Sequence, residues 1–258
     1  MTKYTALVLA GSRGATDALS EATGGAHKAF IEIGGQSMLE RVVQTLLNCG
    51  RVGDILVSIT IPETMPTLTG ISQEMATGRV RLIPASRTPS QSVMSAIQSL
   101  ENAWPLLVTT ADHPLLNGEM INHLLDHAPS GMDAAASIVE RAVIEAAYPQ
   151  TRRTYLRFRD VAFSGANLFL LRNPEALGVV RFWRHVEAKR KRPLRLMAAL
   201  GIGTVLRFAL GRLSLEQALQ QLGKKCGARI GVVRLPYAEA AIDVDKPSDL
   251  ALVNEILG

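Results

Sequence analysis

Only two cysteines occur in the 258 residues, Cys49 and Cys226. They lie far apart and match neither a metal-binding nor a redox spacing, which leaves two reduced thiols and points to the cytoplasm. Aromatic residues are scarce, at 5%, and there is neither a zinc-finger spacing nor an aromatic-rich RNA-binding motif. Both absences argue against a nucleic-acid partner. The start MTKYTALVLAG has no basic segment followed by a long apolar stretch and a cleavage site, so no signal peptide is expected. The apolar stretch Arg195–Leu215 is too short to span a bilayer and is broken by Arg207 and Arg212. Neither GxxxxGK[ST] nor GxGxxG is present, which removes the main support for ATPase and dinucleotide-binding readings. No repeat of solenoid length and no low-complexity linker divides the chain.

What is present fits an ordinary soluble globular protein, with 47% hydrophobic and 20% charged residues. The net charge of +5 belongs to one segment, because 13 Lys or Arg stand against only Glu187 and Glu216 between Arg181 and Arg234. Two readings of residues 181–229 are open. One is a helical subdomain with a solvated basic face, packed on the sheet or on a second copy of the chain in a homodimer. The other is a peripheral amphipathic contact with an anionic membrane.

The order of elements follows from periodicity. Ala6 to Leu9 is a short apolar run stopped by Gly11, which suits a buried parallel strand. Ser37 to Cys49 has helical spacing, with Ser37 and Glu40 placed as a capping box and Gly50 as the stop. Asp54 to Ile61, Val80 to Ile83 and Pro105 to Thr110 read as strands, with a helix after Ser90 or Gln91 and another over Asn117 to His127. Asp133 to Val139 is a strand, two short strand signals lie within Tyr155 to Phe169, and Pro174 to Gly227 is helical. Arg229 to Leu235 returns to a strand, and Ala240 to Leu257 predicts a strand, a turn and a helix with Pro247 in its first turn. The βαβ rhythm gives one domain over 1–258 with a mainly parallel sheet and a basic helical insertion at about 174–228.

Amides of a small-residue turn after the first strand can point together at an anion, and Arg13 and Lys28 can complete the charge balance. In an open α/β sheet ligands sit beyond the carboxyl ends of the strands, so this loop, the Arg87–Ser92 loop and Asp112 are expected to share one crevice. Each residue also has a plainer reading. Gly11 and Gly14 fit a tight turn, Lys28 a surface lysine, Asp112 and Asp245 turn or capping aspartates, and Asn167 a strand end.

In their joint order, LAGSRG, Lys28, RTPSQSV at Arg87 to Val93, ADHPL at Ala111 to Leu115, Asn167 and DVDKPSDL at Asp243 to Leu250 resemble the MobA-like NTP transferases of the nucleotidyltransferase superfamily. The resemblance implies a Rossmann-like three-layer α/β/α fold that transfers a nucleotidyl group from an NTP to a phosphorylated small molecule and releases pyrophosphate. It implies that Leu9, Ala10, Gly11, Ser12 and Gly14 wrap the triphosphate while Arg13 and Lys28 bind its oxygens. Asp112 and Asp245, at two strand ends, would hold Mg²⁺, with Mn²⁺ as the substitute and Asp243 as the metal residue if the register shifts by two. Ser92 and Gln91 would contact base or sugar, and Asn167 the acceptor. One departure stands out: family members often carry the lysine close behind the loop arginine, whereas TDALSEATGGAH lies between Gly14 and Lys28 here. Two other functions remain open, a non-catalytic nucleotide-binding scaffold of the same fold and a nucleotide-sugar-dependent glycosyltransferase. The latter's Asp-x-Asp occurs only as DVD at 243–245.

Overall fold

The structure is a computed structural model that describes residues 3–11, 19, 21, 23–24, 27–60, 68–151, 153–187, 199 and 201–258. The chain divides into two compact units, Met1–His123 with Ile242–Gly258, and Leu124–Ala241.

In the first unit, β1 (Tyr4–Ala10), β4 (Val52–Ile59), β5 (Val80–Pro84) and β6 (Leu106–Thr110) form parallel pairs in the order β5-β4-β1-β6. Consecutive residues of a strand face opposite sides of a sheet, yet Ala6, Leu7 and Val8 are all fully buried, as is the run from Ile55 to Ile59. Both faces of the sheet are therefore covered, the three-layer arrangement that near-continuous apolar strands require. The capping box at Ser37 forms as expected: Ser37 Oγ accepts from Glu40 N–H at 3.2 Å, and helix α1 (Met38–Asn48) follows. A small hairpin, β2 (Glu32–Ile33) with β3 (Gln36–Ser37), leads into that helix. A short helix, α2 (Ser72–Ala76), precedes β5.

The strand order fixes where this unit can bind something. From β1 the chain moves outward through β4 to β5, then returns to the other side of β1 to make β6. The direction of winding reverses between β1 and β6, and at such a reversal the loops beyond the two carboxyl ends diverge and leave a crevice. Gly11 follows β1 there, and Asp112 follows β6.

Two local expectations are corrected. Helix α3 (Pro89–Gln98) is capped by Thr88, whose hydroxyl accepts from Gln91 N–H at 3.4 Å, with Pro89 at the first helical position. Ser90 and Gln91 lie inside the helix, because a fixed proline φ suits a first turn whose N–H groups have no partner in any case. Second, the segment after Ala240 is not a strand. Ala238–Ala241 is a 3-10 turn, and Val244 N–H donates to Asp112 O at 2.9 Å as a single loop contact. Helix α4 (Gly118–His127) carries the chain out of the first unit, with Asn117 Oδ1 accepting from Met120 N–H at 3.0 Å.

In the second unit, β7 (Ala134–Glu140) runs parallel to β10 (Ile230–Arg234) and antiparallel to β9 (Ala162–Leu171), which also pairs with the two-residue β8 (Leu156–Arg157). The two short signals seen in Tyr155–Phe169 are thus a two-residue strand and a ten-residue one. Helix α5 (Arg141–Ala147) has no counterpart in the sequence reading, because seven residues are too few to display a helical period. The basic helical region supplies α6 (Leu177–Val186), α7 (Ile202–Ala209) and α8 (Leu215–Cys226). Gly178 has to be glycine, since a Cβ there would collide with the Cys226 carbonyl oxygen. The final helix, α9 (Pro247–Leu257), belongs to the first unit and starts with Pro247 as expected.

Asp133 ties this unit's sheet together. Its carboxylate accepts from Arg229 N–H at 2.7 Å, from the Arg229 guanidinium at 2.8 Å and from the Asn173 amide at 2.8 Å, while its backbone bonds Arg229 and Arg172. The side-chain bond from Arg229 is the largest cause holding this buried carboxyl well below the usual carboxylate range. A depressed carboxyl pKa contributes stability above the ordinary value of about 4 and loses it as pH falls toward the folded-state value. Asp133→Ala leaves a buried amide without its acceptor and is expected to cost about 2–3 kcal/mol in denaturant unfolding. Asp133→Asn is expected to flatten the fall in melting temperature below about pH 4.

Candidate functional site

Lys28 opens a short 3-10 turn, Lys28–Phe30, that His27 caps: His27 Nδ1 accepts from Ala29 N–H at 3.3 Å and its ring lies 5.2 Å from that of Phe30. Burial pushes the His27 pKa down, which favours the neutral imidazole. The turn delivers the lysine to two acids, with Nζ 2.6 Å from Asp112 Oδ2 and 2.6 Å from Asp245 Oδ1. Burial works against the ammonium, but the two carboxylates outweigh it and raise its pKa above the ordinary lysine value. The group is a cation at neutral pH.

Asp112 stands two residues beyond β6, where Ala111 N–H donates to Leu9 O at 3.0 Å and fixes the turn to the end of β1. Its second oxygen, Oδ1, is buried and without a hydrogen-bond partner. Asp245 is held differently from the expectation of two strand ends, because it sits in the loop before α9. Buried Asp249 accepts from the backbone N–H of Asp245 at 3.1 Å and of Lys246 at 3.2 Å, so Asp249 organises the helix start. The Asp245 carboxylate meets Lys28. Asp243, two residues upstream, is half-buried.

The expected loops come together in part. A Cβ on Gly11 would stand 3.5 Å from that of Ala85, so the loop beyond β1 touches the one beyond β5, reaching past the end of β4. Ser92 Oγ accepts from Ser86 N–H at 2.9 Å and shapes that second loop, while Gln91 stands half-buried in the first turn of α3. Leu9 is half-buried and Ala10 buried at the end of β1, and Gly11 is exposed. Ser12, Arg13 and Gly14 lie outside the described residues. Asn167 belongs to the second unit, on β9. At φ 46° it is the one non-glycine with positive φ among the described residues. The pairing of β7 with β9 shifts register between Ala136 and Ile138, opposite this stretch. A strained asparagine beside a bulge is the kind of feature that collects at functional positions.

Among the described residues no group of three or more His, Cys, Asp or Glu is placed to hold a metal ion. The donor set is the carboxylate pair, Asp112 and Asp245. Both reach one cationic atom, and one carries an oxygen with no partner. That suits a hard divalent ion, which accepts two carboxylates and takes its remaining ligands from water and phosphate. The lysine that bridges the acids would compete with such an ion for the same oxygens.

Sequence reasoning passed over two supporting residues, His27 and Asp249. Asp249 had a readable signal: in DKPSD an acid stands three residues after the position preceding Pro247, as in a capping box. His27 had none, since a lone histidine beside a lysine carries no spacing information.

Residues 6–224 match the family described as MobA-like NTP transferase domain. The chain is 23% identical over 240 residues to the 2-C-methyl-D-erythritol 4-phosphate cytidylyltransferase of Solibacter usitatus (strain Ellin6076), covering 92% of this chain and 88% of that protein. It is similar to the structure of a hypothetical transferase from Thermus thermophilus, at 30% identity and a TM-score of 0.78, over 96% of this chain and 100% of the other. It also shares its fold with the 4-diphosphocytidyl-2C-methyl-D-erythritol synthase of Anaerococcus prevotii DSM 20548, at 13% identity and a TM-score of 0.56, over 99% and 98% of the two chains.

Asp249→Ala leaves two N–H groups at the start of α9 without their acceptor. It is expected to lower stability by about 1–2 kcal/mol in denaturant unfolding. An unchanged midpoint would show that Asp249 does not hold the Asp245 loop.

Proposed function

The chain belongs to the MobA-like NTP transferase domain family, and from that premise we propose that this nucleotidyltransferase moves a cytidylyl group from CTP to a phosphorylated small-molecule acceptor. CTP is chosen because the Solibacter relative is a cytidylyltransferase and the Anaerococcus protein a diphosphocytidyl-methylerythritol synthase. An oxygen of the acceptor phosphate forms a bond to the α-phosphorus, and the bond from that phosphorus to the bridging oxygen breaks. Its electron pair leaves with pyrophosphate.

The observation that carries this reading is Lys28 Nζ at 2.6 Å from both Asp112 and Asp245, beyond the ends of β1 and β6. Transfer of this kind needs charge neutralisation and positioning more than a covalent catalyst. The ammonium of Lys28 serves by leaving its carboxylates for phosphate oxygens, and the exposed backbone at Gly11 admits a phosphate without a side chain in the way. Arg13 is assigned a second cationic contact. Ser92 and Gln91, on the loop and helix start beyond β5, are assigned to base and sugar. Asp112 and Asp245 would hold Mg²⁺, or Mn²⁺ in its place, which when bound offsets the charge of the triphosphate. A non-catalytic scaffold has no use for two acids gathered on one lysine at this position.

Binding to the native state raises its melting temperature, by an amount equivalent to about 2.7 kcal/mol at a ligand concentration 100 times Kd. A thermal-shift panel of the four NTPs with Mg²⁺ is expected to show the largest rise with CTP. A larger rise with another NTP would overturn the choice of base, and no rise with any NTP would overturn the nucleotide reading.

Lys28→Met removes the internal cation that shares the metal's oxygens. Without nucleotide, Mn²⁺ binding followed by electron paramagnetic resonance is expected to tighten several-fold in this variant, since the carboxylates no longer have a bound ammonium to give up. Unchanged or weaker binding would show that the lysine and the metal do not compete.

A further inference from the structure

Helix α7 (Ile202–Ala209) presents two unlike faces. On one, Val205 and Phe208 pack with Phe158, Phe182 and Leu222 against buried Leu213 and Ala218, and this anchors the helix within the second unit. On the other, Ile202 is 80% exposed, Leu206 58% and Leu210 67%, the largest exposures of any big apolar side chain among the described residues. They stand four residues apart, so they form one stripe along the helix and its C-cap. A stripe of three such residues costs free energy in water and stands exposed among the described residues.

The charge around the stripe selects its occupant. Arg207 and Arg212 are both exposed beside it. Between Glu187 and Glu216 the sequence contains no acid at all. An apolar stripe edged by arginines, on a helix already pinned by its inner face, matches an anionic lipid surface: the side chains enter the acyl boundary while the guanidinium groups stay at the phosphates. A second copy of the chain is a poorer occupant. A two-fold pairing through this stripe would bring each arginine against the same rim of its mate, like charge against like. No helix among the described residues is long and apolar enough to cross a membrane.

We propose that the Ile202–Leu206–Leu210 stripe with Arg207 and Arg212 is a docking surface for an anionic lipid bilayer, holding the protein at a membrane in the plane of the headgroups. This stands apart from the nucleotide reading and draws on none of its residues.

The test uses the full chain with vesicles of phosphatidylcholine alone and of phosphatidylcholine with 30% phosphatidylglycerol, in co-sedimentation at low salt. The wild type is expected to pellet with the anionic vesicles at least ten-fold more than with the neutral ones, and to be released as salt rises. The variant Ile202→Gln/Leu206→Gln/Leu210→Gln, altered only at exposed positions, is expected to keep its melting temperature and lose binding ten-fold or more. Arg207→Glu/Arg212→Glu is expected to lose the preference for anionic lipid. The proposal is overturned if the wild type stays in the supernatant with anionic vesicles, or if the apolar variant binds them as the wild type does. It is equally overturned if the stripe instead supports a dimer that the apolar variant dissociates while vesicle binding is absent.

Discussion

One lysine shared by two aspartates organises the first unit's functional end. Lys28 comes from a turn after β1, Asp112 from the loop after β6 and Asp245 from the loop before the last helix, and each is supplied by a separate local device. His27 caps the first turn, a backbone bond to Leu9 fixes the second, and buried Asp249 holds the third. The 2.6 Å contacts are the meeting point of these devices. With the Asp245 side chain 65% exposed, the pair it makes with Lys28 is too wet to add much to stability. The effect of the two contacts is positional: three charges are kept together at one place in the first unit.

The sheet explains why they meet there. Chain reversal between β1 and β6 opens a crevice in any open parallel sheet, and the fully buried runs of β1 and β4 fix that sheet in place. The short apolar strands, the Ser37 capping box and the Asp112 position could all be read from the sequence, because each depends on neighbours a few residues apart. Lys28 could be proposed for its place after a glycine-rich turn, but its bridging of two acids could not. The contact depends on loops that only the folded sheet brings together.

Local misreadings had local causes. Proline at position 89 moved the helix cap to Thr88, where Ser90 and Gln91 had offered an equal polar signal. Ala240 to Val244 has strand-like composition, yet its alanines close into a 3-10 turn, and the loop spends its backbone on Asp112. Helix α5 is too brief for its period to show. Asn167 could be picked out for its residue type, but its left-handed backbone became visible only with the bulge opposite. In the basic region, charge counting located a segment and could not say which face of which helix was apolar. That required knowing that Val205 and Phe208 point inward.

The central claim is that the acids gathered on Lys28 serve nucleotide and metal together. It is tested most directly by calorimetric titration of CTP with Mg²⁺ into the wild type and into Asp112→Asn, a nearly isosteric change that removes one negative charge. The account predicts binding at least ten-fold weaker in the variant, with an unchanged melting temperature in the absence of ligand. Equal affinity in the two proteins would contradict it.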